Sequence, residues 1–503
     1  MDDVTLNIPV CHYQTLLSWT QETIDHLTRS ALDLAVTMGV RLEDDGQAGF
    51  LAELEGKGVA VDRDRRTVRF TEKDIAETVA VLQRSQPATQ PLQERMDRPD
   101  RNEKFRAGVA ANLLFDFETW QARLANQADL VELSHWVQGC DDIDALVAPV
   151  LVKDVEPRLE PLVNLALRAK YCRKKVYLDQ PIEPIHVKYL PRMQEVISRR
   201  RGYPFNKLAL WEYMSSPFRI SSRSIETMLA RMDTGGSDLM GLGSMSISGM
   251  SAPVTIAGVA VQMMAEILAG LTLLRILRPG IGLMAQTLSG KLDLRTGNLG
   301  YFGMRTFLQN LAAKDIFVRG LGVDPAGMTH YREANEPGMQ AMYEFGMAQA
   351  FFSCVLYRCR PDIGGLANAS IFSPEQAVLD IECAKEFNEL AHGFTVNEEE
   401  LALDQIVAGG FNSSYHMSSE HTLNHMKDAL AFSSFFYRGL PGGARHNKEK
   451  HQTDELMEEA AESVRSDKAK GREVEPDTEL ADELCEFIEQ AAAELGVEPP
   501  SLL

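Results

Sequence analysis

Along the first quarter of the chain the apolar positions recur at helical spacing, then alternate, then return to helical spacing. The segment SWTQETIDHLTRSALDLAVTMGV predicts a helix that stops at Gly39. GKGVAVDRDRRTVRFTEKDIAETVAVLQ predicts a strand pair turning over residues 62–65 and then a second helix, with Arg63, Arg65 and Arg66 as a solvated turn. Residues 87–103 are polar and contain proline, which marks a linker. From about residue 141 short apolar runs alternate with helical patterns. The runs are IDALVAPVLV, KKVYLDQ, NKLALWEYM, SDLMGLG, IGLMAQT, KDIFVRG and DIGGLANAS, with an eighth over residues 405–409. Helical patterns separate them over residues 159–173, 189–199, 224–231, 255–277, 303–313, 339–357 and 375–392. Eight strand–helix units predict an α/β fold, a closed (β/α)8 TIM barrel rather than an open doubly wound sheet. After Pro441-Gly442-Gly443 two acidic amphipathic helices follow. The expected organisation is a mainly helical N-terminal extension over residues 1–103, the barrel over 104–440 and an acidic helical appendage over 441–503.

The densest stretch is GGSDLMGLGSMSISGMSAPVTIAGVAVQMMAEILAGLTLLRILRPGIGLMAQTLSGKLDLRTG, residues 235–297. It reads as strand, loop, helix, strand, loop, and both loops fall at the C-terminal ends of strands, where α/β enzymes place their chemistry. The Gly-Ser-Met segment 241–251 is expected to be a loop too long for a minimal turn, whose small residues admit close approach of a ligand to backbone.

Composition narrows the class. The chain has 503 residues, 45% hydrophobic and 24% charged, ordinary for a globular protein with a large core. Net charge is −21, which repels phosphate backbones and argues against nucleic-acid binding. From Arg445 onward 7 Lys plus Arg stand against 17 Asp plus Glu, about half of that excess. Seven cysteines without a paired CxxC pattern favour reduced thiols. The N-terminus lacks a signal pattern, and the most apolar helix contains Gln262, Glu266 and Arg275, which suits a buried helix better than a membrane span. The expected location is the cytoplasm. No GxGxxG follows the first strand, which removes the main argument for a dinucleotide fold. Cys354 and Cys359 are five apart, off a common helix face, and His416, Glu420 and His421 form no recognised zinc pattern, so no bound metal is expected.

Several segments resemble the trimethylamine methyltransferase (MttB-like) superfamily. SMSISGMSAPVTIAGVAVQMMAEILAGLTLLRILRPG is similar to that family's Gly-Ala-x-Ala-Pro-Val-Thr loop and helix. SGKLDLRTGNLGYFG matches its next loop, with Asp293, Arg295, Thr296 and Gly297 in place. SSPFRISSRSI resembles its Ser-Pro-Leu-Arg strand end, GGFNSSYHMSSEHTLNHMKDAL its Gly-Gly and Glu-His-Thr element, and ALDLAVTMGVRLED its N-terminal helix. The matches are collinear over roughly residues 25–440. The resemblance implies a barrel whose top face accepts a methylated amine and docks a partner protein carrying cobalamin, a corrinoid, and it implies a homo-oligomer. Trimethylamine enzymes of the family carry pyrrolysine, whereas this sequence has standard residues only. It therefore resembles the non-pyrrolysine members that act on quaternary amines such as glycine betaine. After the sixth strand the family's Gly, Ser, Asp and Lys-rich segment is replaced by GLGVDPAGMTHYREANEPG.

A quaternary ammonium already carries its charge, so attack on a methyl expels a neutral amine and needs no general acid. Aromatic faces hold such a cation best. Trp211, Tyr213, Tyr301, Phe302, His330 and Tyr331 stand near strand ends and form the candidate cage, each with packing in the wall as its alternative role. Gln180 and Gln286 are candidate polar wall groups. Arg219, Arg295 and Arg332 are candidates for a betaine carboxylate, with pairing between Asp293 and Arg295 as the competing role. His416 is a further substrate candidate, against a capping role. Gly243, Ser244, Met245, Ser248 and Gly249 are expected to face the corrinoid. Two rivals stay open at this point: a catalytically silent binder of a methylated ammonium or sulfonium compound, and a metal-dependent barrel hydrolase or lyase.

Overall fold

The computed structural model describes residues 4–6, 18–43, 48–86, 104–178, 182–203, 210–233, 239–327, 331–356, 362–392, 394–429, 435 and 452–502. The expected linker 87–103 and the Pro-Gly-Gly break at 441–443 lie outside them.

Helix α1, Gln21–Met38, starts at Thr20, whose hydroxyl accepts the Thr23 N–H, and stops at Gly39, which has φ 61°. Strand β1 is Val40–Leu42, and β2, Ala60–Asp62, turns into β3, Thr67–Arg69, at the expected place. Helix α2, Glu72–Ser85, carries a capping box between Thr71 and Asp74. The alternating series then runs β4 Phe105–Ala107, α3 Gln127–Gly139, β5 Ile143–Leu146, α4 Glu160–Tyr171, β6 Lys175–Val176, α5 Pro184–Arg201 and β7 Leu210–Met214. After β7 come the short strand β8 Arg219–Ile220, α6 Ser222–Asp233, β9 Leu239–Ser248, α7 Ile256–Leu277 and β10 Gly282–Leu292. It continues with β11 Leu299–Gly300, α8 Met304–Asp315, β12 Ala326–Gly327, α9 Met339–Leu356, β13 Asp362–Ile363 and α10 Pro374–His392. Helices α11, Gln452–Arg472, and α12, Thr478–Leu495, follow.

Eight of the parallel strands form two arcs among the described residues. One runs β13-β4-β5-β6 and the other β7-β9-β10-β12. Helices pack on the outside of both arcs, which makes the fold α/β. Helix α7 is apolar over most of its length and long enough to cross a membrane by composition, yet 72% of its most apolar stretch is buried inside the fold. It forms the centre of one core with α1, Leu242, Leu283 and Phe317. A second core gathers Leu146, Leu162, Leu190, Ile381 and, from the C-terminal helices, Met457, Leu484 and Ile488.

Two strand assignments made from the sequence are corrected. KDIFVRG is not a strand: Lys314 and Asp315 end α8, and Ile316–Leu321 continues as a π-helix closed by the left-handed Gly322. Its Ile316, Phe317 and Leu321 turn inward toward α1, an apolar set that a short run cannot distinguish from a buried strand. The strand in that place is the two-residue β12. Residues 405–409 lie in the helix Leu403–Gly409, and the remaining parallel strand is β4, too short to register as an apolar run.

The N-terminal segment is stitched into this frame. β1 pairs in parallel with β8, Arg41 to Arg219 and Leu42 to Ile220, and β3 lies on its other side. The C-terminal helices lie on the outer layer, α11 against α3 and α10, α12 against α4 and α5. Two glycines permit the closest of these contacts: a Cβ on Gly139 would stand 1.9 Å from the Asp467 carbonyl oxygen, and one on Gly471 would stand 1.9 Å from that of His135. Acidic side chains of α12 meet basic ones of α5, with Glu483 3.1 Å from Arg199 and 3.0 Å from Arg200.

Buried helix carboxylates fasten the loops that follow the strands. Glu160 accepts from the Val152 N–H at 2.8 Å, Glu344 from the Glu333 and Ala334 N–H groups at 2.7 and 3.1 Å, and Asp380 from the Gly364 N–H at 2.7 Å. His186 does the same work as a neutral group. Its Nδ1 accepts from the Ile182 N–H at 3.3 Å, which leaves the proton on Nε2, 2.8 Å from the Arg158 carbonyl.

Leu484 of α12 is fully buried in the core that α12 completes against α4 and α5, so Leu484→Ala is expected to cost about 3 kcal/mol, read as a lower urea midpoint. Burial also lowers the pKa of His186 and of His135. The unfolded chain therefore binds more protons below about pH 6.5. This stability is fully present above that pH and is lost as pH falls through it. The melting temperature is expected to drop between pH 7 and pH 5, and His186→Gln, which cannot titrate, is expected to flatten that slope.

Candidate functional site

Side chains alternate along a strand, so Trp211 and Tyr213 share one face of β7 while Glu212 takes the other, 3.4 Å from the buried Arg231 of α6. The register sets Trp211 beside Gly241 and Tyr213 beside Gly243 of β9. Both rings lie over bare backbone. A Cβ on Gly241 would stand 2.4 Å from the indole, and one on Gly243 would stand 2.7 Å from the phenol ring. On the next strand Gly243 pairs with Gln286, and the Tyr213 hydroxyl donates to Gln286 Oε1 at 2.9 Å. Farther along, a Cβ on Gly290 would stand 3.0 Å from the Tyr301 ring. Tyr301 meets Tyr331 edge to face, with centroids 5.5 Å apart at 81°. Burial pushes both the Tyr213 and the Tyr301 phenols upward, with Tyr331 adding to the effect on Tyr213, so both stay protonated. None of the four rings is fully buried. Three small residues thus floor an aromatic face that keeps an open side.

The back of β9 carries a different chemistry. Glu266 of α7 is fully buried and accepts five hydrogen bonds. The donors are Ser244 at 2.5 Å, Ser246 at 3.2 Å, Ser216 at 2.8 Å, the Phe218 N–H at 3.3 Å and Gln262 at 2.8 Å. Gln262 also donates to the Ser251 carbonyl at 2.7 Å, tying down the turn after β9. Beyond it Met250, Val254 and Leu294 are 65%, 63% and 85% exposed, an apolar rim on the loops after β9 and β10.

The structure therefore groups Trp211, Tyr213 and Gln286 around Gly241 and Gly243 and pairs Tyr301 with Tyr331, which lies near enough to Tyr213 to act on its phenol. Other candidates fall elsewhere. Phe302 is buried against Phe307 and Tyr343. Arg295 is solvent-exposed and paired with Asp293 at 3.1 Å, as the competing role required. Arg332 is buried, doubly bonded to Asp380 at 2.7 and 2.8 Å and stacked over Phe345. Arg219 lies 3.4 Å from Glu43 and donates to the Ser216 carbonyl. His416 sits exposed in the 3-10 turn Tyr415–Ser418, its ring against Tyr415 rather than the aromatic face. Gln180, His330 and Cys359 lie outside the described residues, as does the side chain of Cys354.

The expected Gly-Ser-Met loop is corrected. Gly243, Ser244, Met245 and Ser248 belong to β9, registered with β10 out to Ser248 opposite Lys291, and only Gly249 stands in the turn. Ser244 points to Glu266, while Gly243 and Met245 share the face of the rings. The loop expected from residue 289 likewise begins later, because β10 runs to Leu292 and a tight turn leads into β11. Glu266 was absent from the candidates. Its signal was there: Gln262 and Glu266, one turn apart, are polar residues in a helix otherwise apolar through that stretch. Among the described residues no group of three or more His, Cys, Asp or Glu converges on a point that could hold a metal ion.

Residues 4–496 match the family described as trimethylamine methyltransferase (MTTB). The chain belongs to the trimethylamine methyltransferase (MTTB) family. Among its relatives, trimethylamine methyltransferase MttB1 of Methanosarcina acetivorans is 26% identical over 57% of this chain and 58% of its own length. The chain thus spans under two thirds of that relative. Trimethylamine methyltransferase MttB of Desulfitobacterium hafniense is 21% identical over 82% of each. The crystal structure of the Methanosarcina barkeri monomethylamine methyltransferase (MtmB) aligns over 92% of both chains at 11% identity and a TM-score of 0.42. In this MTTB-family chain the glycine floor is directly testable. Gly243→Ala is expected to displace the Tyr213 ring and weaken binding of tetramethylammonium about tenfold by calorimetry, with far-UV circular dichroism unchanged.

Proposed function

We propose that the protein transfers a methyl group from a quaternary ammonium compound to the cob(I)alamin of a partner corrinoid protein. The observation that carries this reading is the set of aromatic rings along the parallel strands: Trp211 and Tyr213 over Gly241 and Gly243 of β9, and Tyr301, in edge-to-face contact with Tyr331, over Gly290 near the C-terminal end of β10. The two arcs are read as halves of one (β/α)8 barrel, closed between β6 and β7 and between β12 and β13. The extension and the C-terminal helices are its additions, in a cytoplasmic protein.

A permanent cation has no proton to donate and no way to shed its charge. Ring faces answer that need, each contributing roughly 0.5–2 kcal/mol as water is displaced. Protonated phenols suit the role because they add no charge beside the reacting methyl. Trp211, Tyr213, Tyr301 and Tyr331 would grip the ammonium head and orient one methyl toward the open side. The C–N electron pair leaves with a neutral tertiary amine, so no side chain has to supply a proton. When docked, the corrinoid supplies the nucleophile that receives the methyl group. Met250, Val254 and Leu294 form an apolar margin fit to cover a corrinoid edge and keep water from the mouth. Glycine betaine is one substrate of this class, named by the family resemblance. Relatives are named for trimethylamine, whose protonated form would meet the same rings.

The test mixes the full chain with cob(I)alamin and a panel of quaternary ammonium compounds. Methylcobalamin is expected by its absorbance with at least one of them, at a rate reduced about a hundredfold in Trp211→Ala/Tyr213→Ala. No methylcobalamin from any member would overturn the reading.

A further inference from the structure

We infer that the quaternary ammonium ion taken by this site carries an uncharged, hydrogen-bonding arm rather than a carboxylate. The inference rests on the cation-site reading above. It comes from the charges surrounding the rings, which are unequally balanced.

Two buried carboxylates back the aromatic face without an ionic partner among the described residues. Glu266 lies behind β9, the strand that floors Trp211 and Tyr213, and all five of its partners are neutral donors. Glu344 lies behind the segment that presents Tyr331, and its partners are two backbone N–H groups and the Gln340 amide. Behind β7 the charge is cancelled, since Glu212 faces Arg231. Buried charges are weakly screened, so the field at the rings favours a cation and opposes an anion.

Four cations near the strand ends, among the described residues, are already engaged. Arg332 is locked to Asp380, Arg295 to Asp293 and Arg219 to Glu43. Lys291 donates to the Phe302 carbonyl at 2.8 Å and lies 3.9 Å from Glu333. A carboxylate arm would have to break one of these pairs or be desolvated beside two anions, and either raises the cost of binding. Gln286 offers the alternative. The Tyr213 hydroxyl occupies its Oε1, so the amide nitrogen is the group Gln286 can offer as a donor to a neutral oxygen. A hydroxyl, ether or ester arm satisfies that donor at no charge.

Calorimetric titration of the full chain decides the matter with four probes: choline, glycine betaine, tetramethylammonium and the uncharged isostere 3,3-dimethylbutan-1-ol. Choline is expected to bind at least tenfold more tightly than either glycine betaine or the isostere. Glu266→Gln is expected to weaken choline several-fold while leaving the isostere within twofold, a split that a loss of structure would not produce. Gln286→Leu is expected to weaken choline more than tetramethylammonium. Glycine betaine binding as tightly as choline would overturn the neutral arm and leave the cation site standing. Choline and the isostere binding equally would remove the cation site itself, and with it both readings.

Discussion

Four helices reach under the loops at the strand ends with buried carboxylates, and the geometry of the whole upper face depends on that grip. Glu160, Glu266, Glu344 and Asp380 each accept a backbone N–H from a loop following a parallel strand. A loop N–H left unpaired in such a place costs about 1–3 kcal/mol, and the carboxylate removes that cost several times over. The arrangement also demands completeness. Each acceptor must meet all of its donors at once, because a half-satisfied buried carboxylate destabilises the fold. Loops that would otherwise wander are thereby held to one conformation, and the side chains flanking them inherit the precision.

The aromatic face shows what that precision permits. Trp211 and Tyr213 can lie flat on β9 only because positions 241 and 243 carry no side chain. Their rings then fill the volume that neighbouring side chains would take, while Ser244 and Ser246, on the opposite face of the same strand, join the Glu266 cluster. One strand thus serves two requirements by alternation: bare toward the rings, hydroxylated toward the anion. The composition Gly-x-Gly-Ser-x-Ser is a consequence of that division.

Much of this was legible from residue order. The period of the apolar positions gave the N-terminal helix, the hairpin, α7 and both C-terminal helices, because long elements carry several repeats of their period. It failed where elements are two or three residues long, as at β4 and β12, and where a π-helical end such as Ile316–Leu321 buries a run no longer than a strand. Small residues over 241–248 suggested a loop, since glycine and serine disfavour strands in isolation; the pairing of β9 with β10 overrides that preference. Of the aromatic candidates, Trp211, Tyr213 and Tyr301 lie against neighbouring glycines that make room for their rings. The ion pairs of the arginines were not legible, because an ion pair's second member can come from anywhere in the chain, as Asp380 does for Arg332.

The two cores are assembled from distant parts of the chain. The sheet begun by Val40–Leu42 receives its parallel neighbour only at Arg219–Ile220. The core around Trp136 and Leu162 is finished by Leu480, Leu484 and Ile488, more than 280 residues later. A ribosome therefore exposes unfinished apolar surface for as long as it takes to make the residues between these two parts of the core. At 5–20 residues per second that interval is roughly half a minute. The acidic helices that complete this core emerge long after the residues they cover, so until then the apolar surface around Trp136 and Leu162 depends for its solubility on chaperones or on the charge carried by the segments already made.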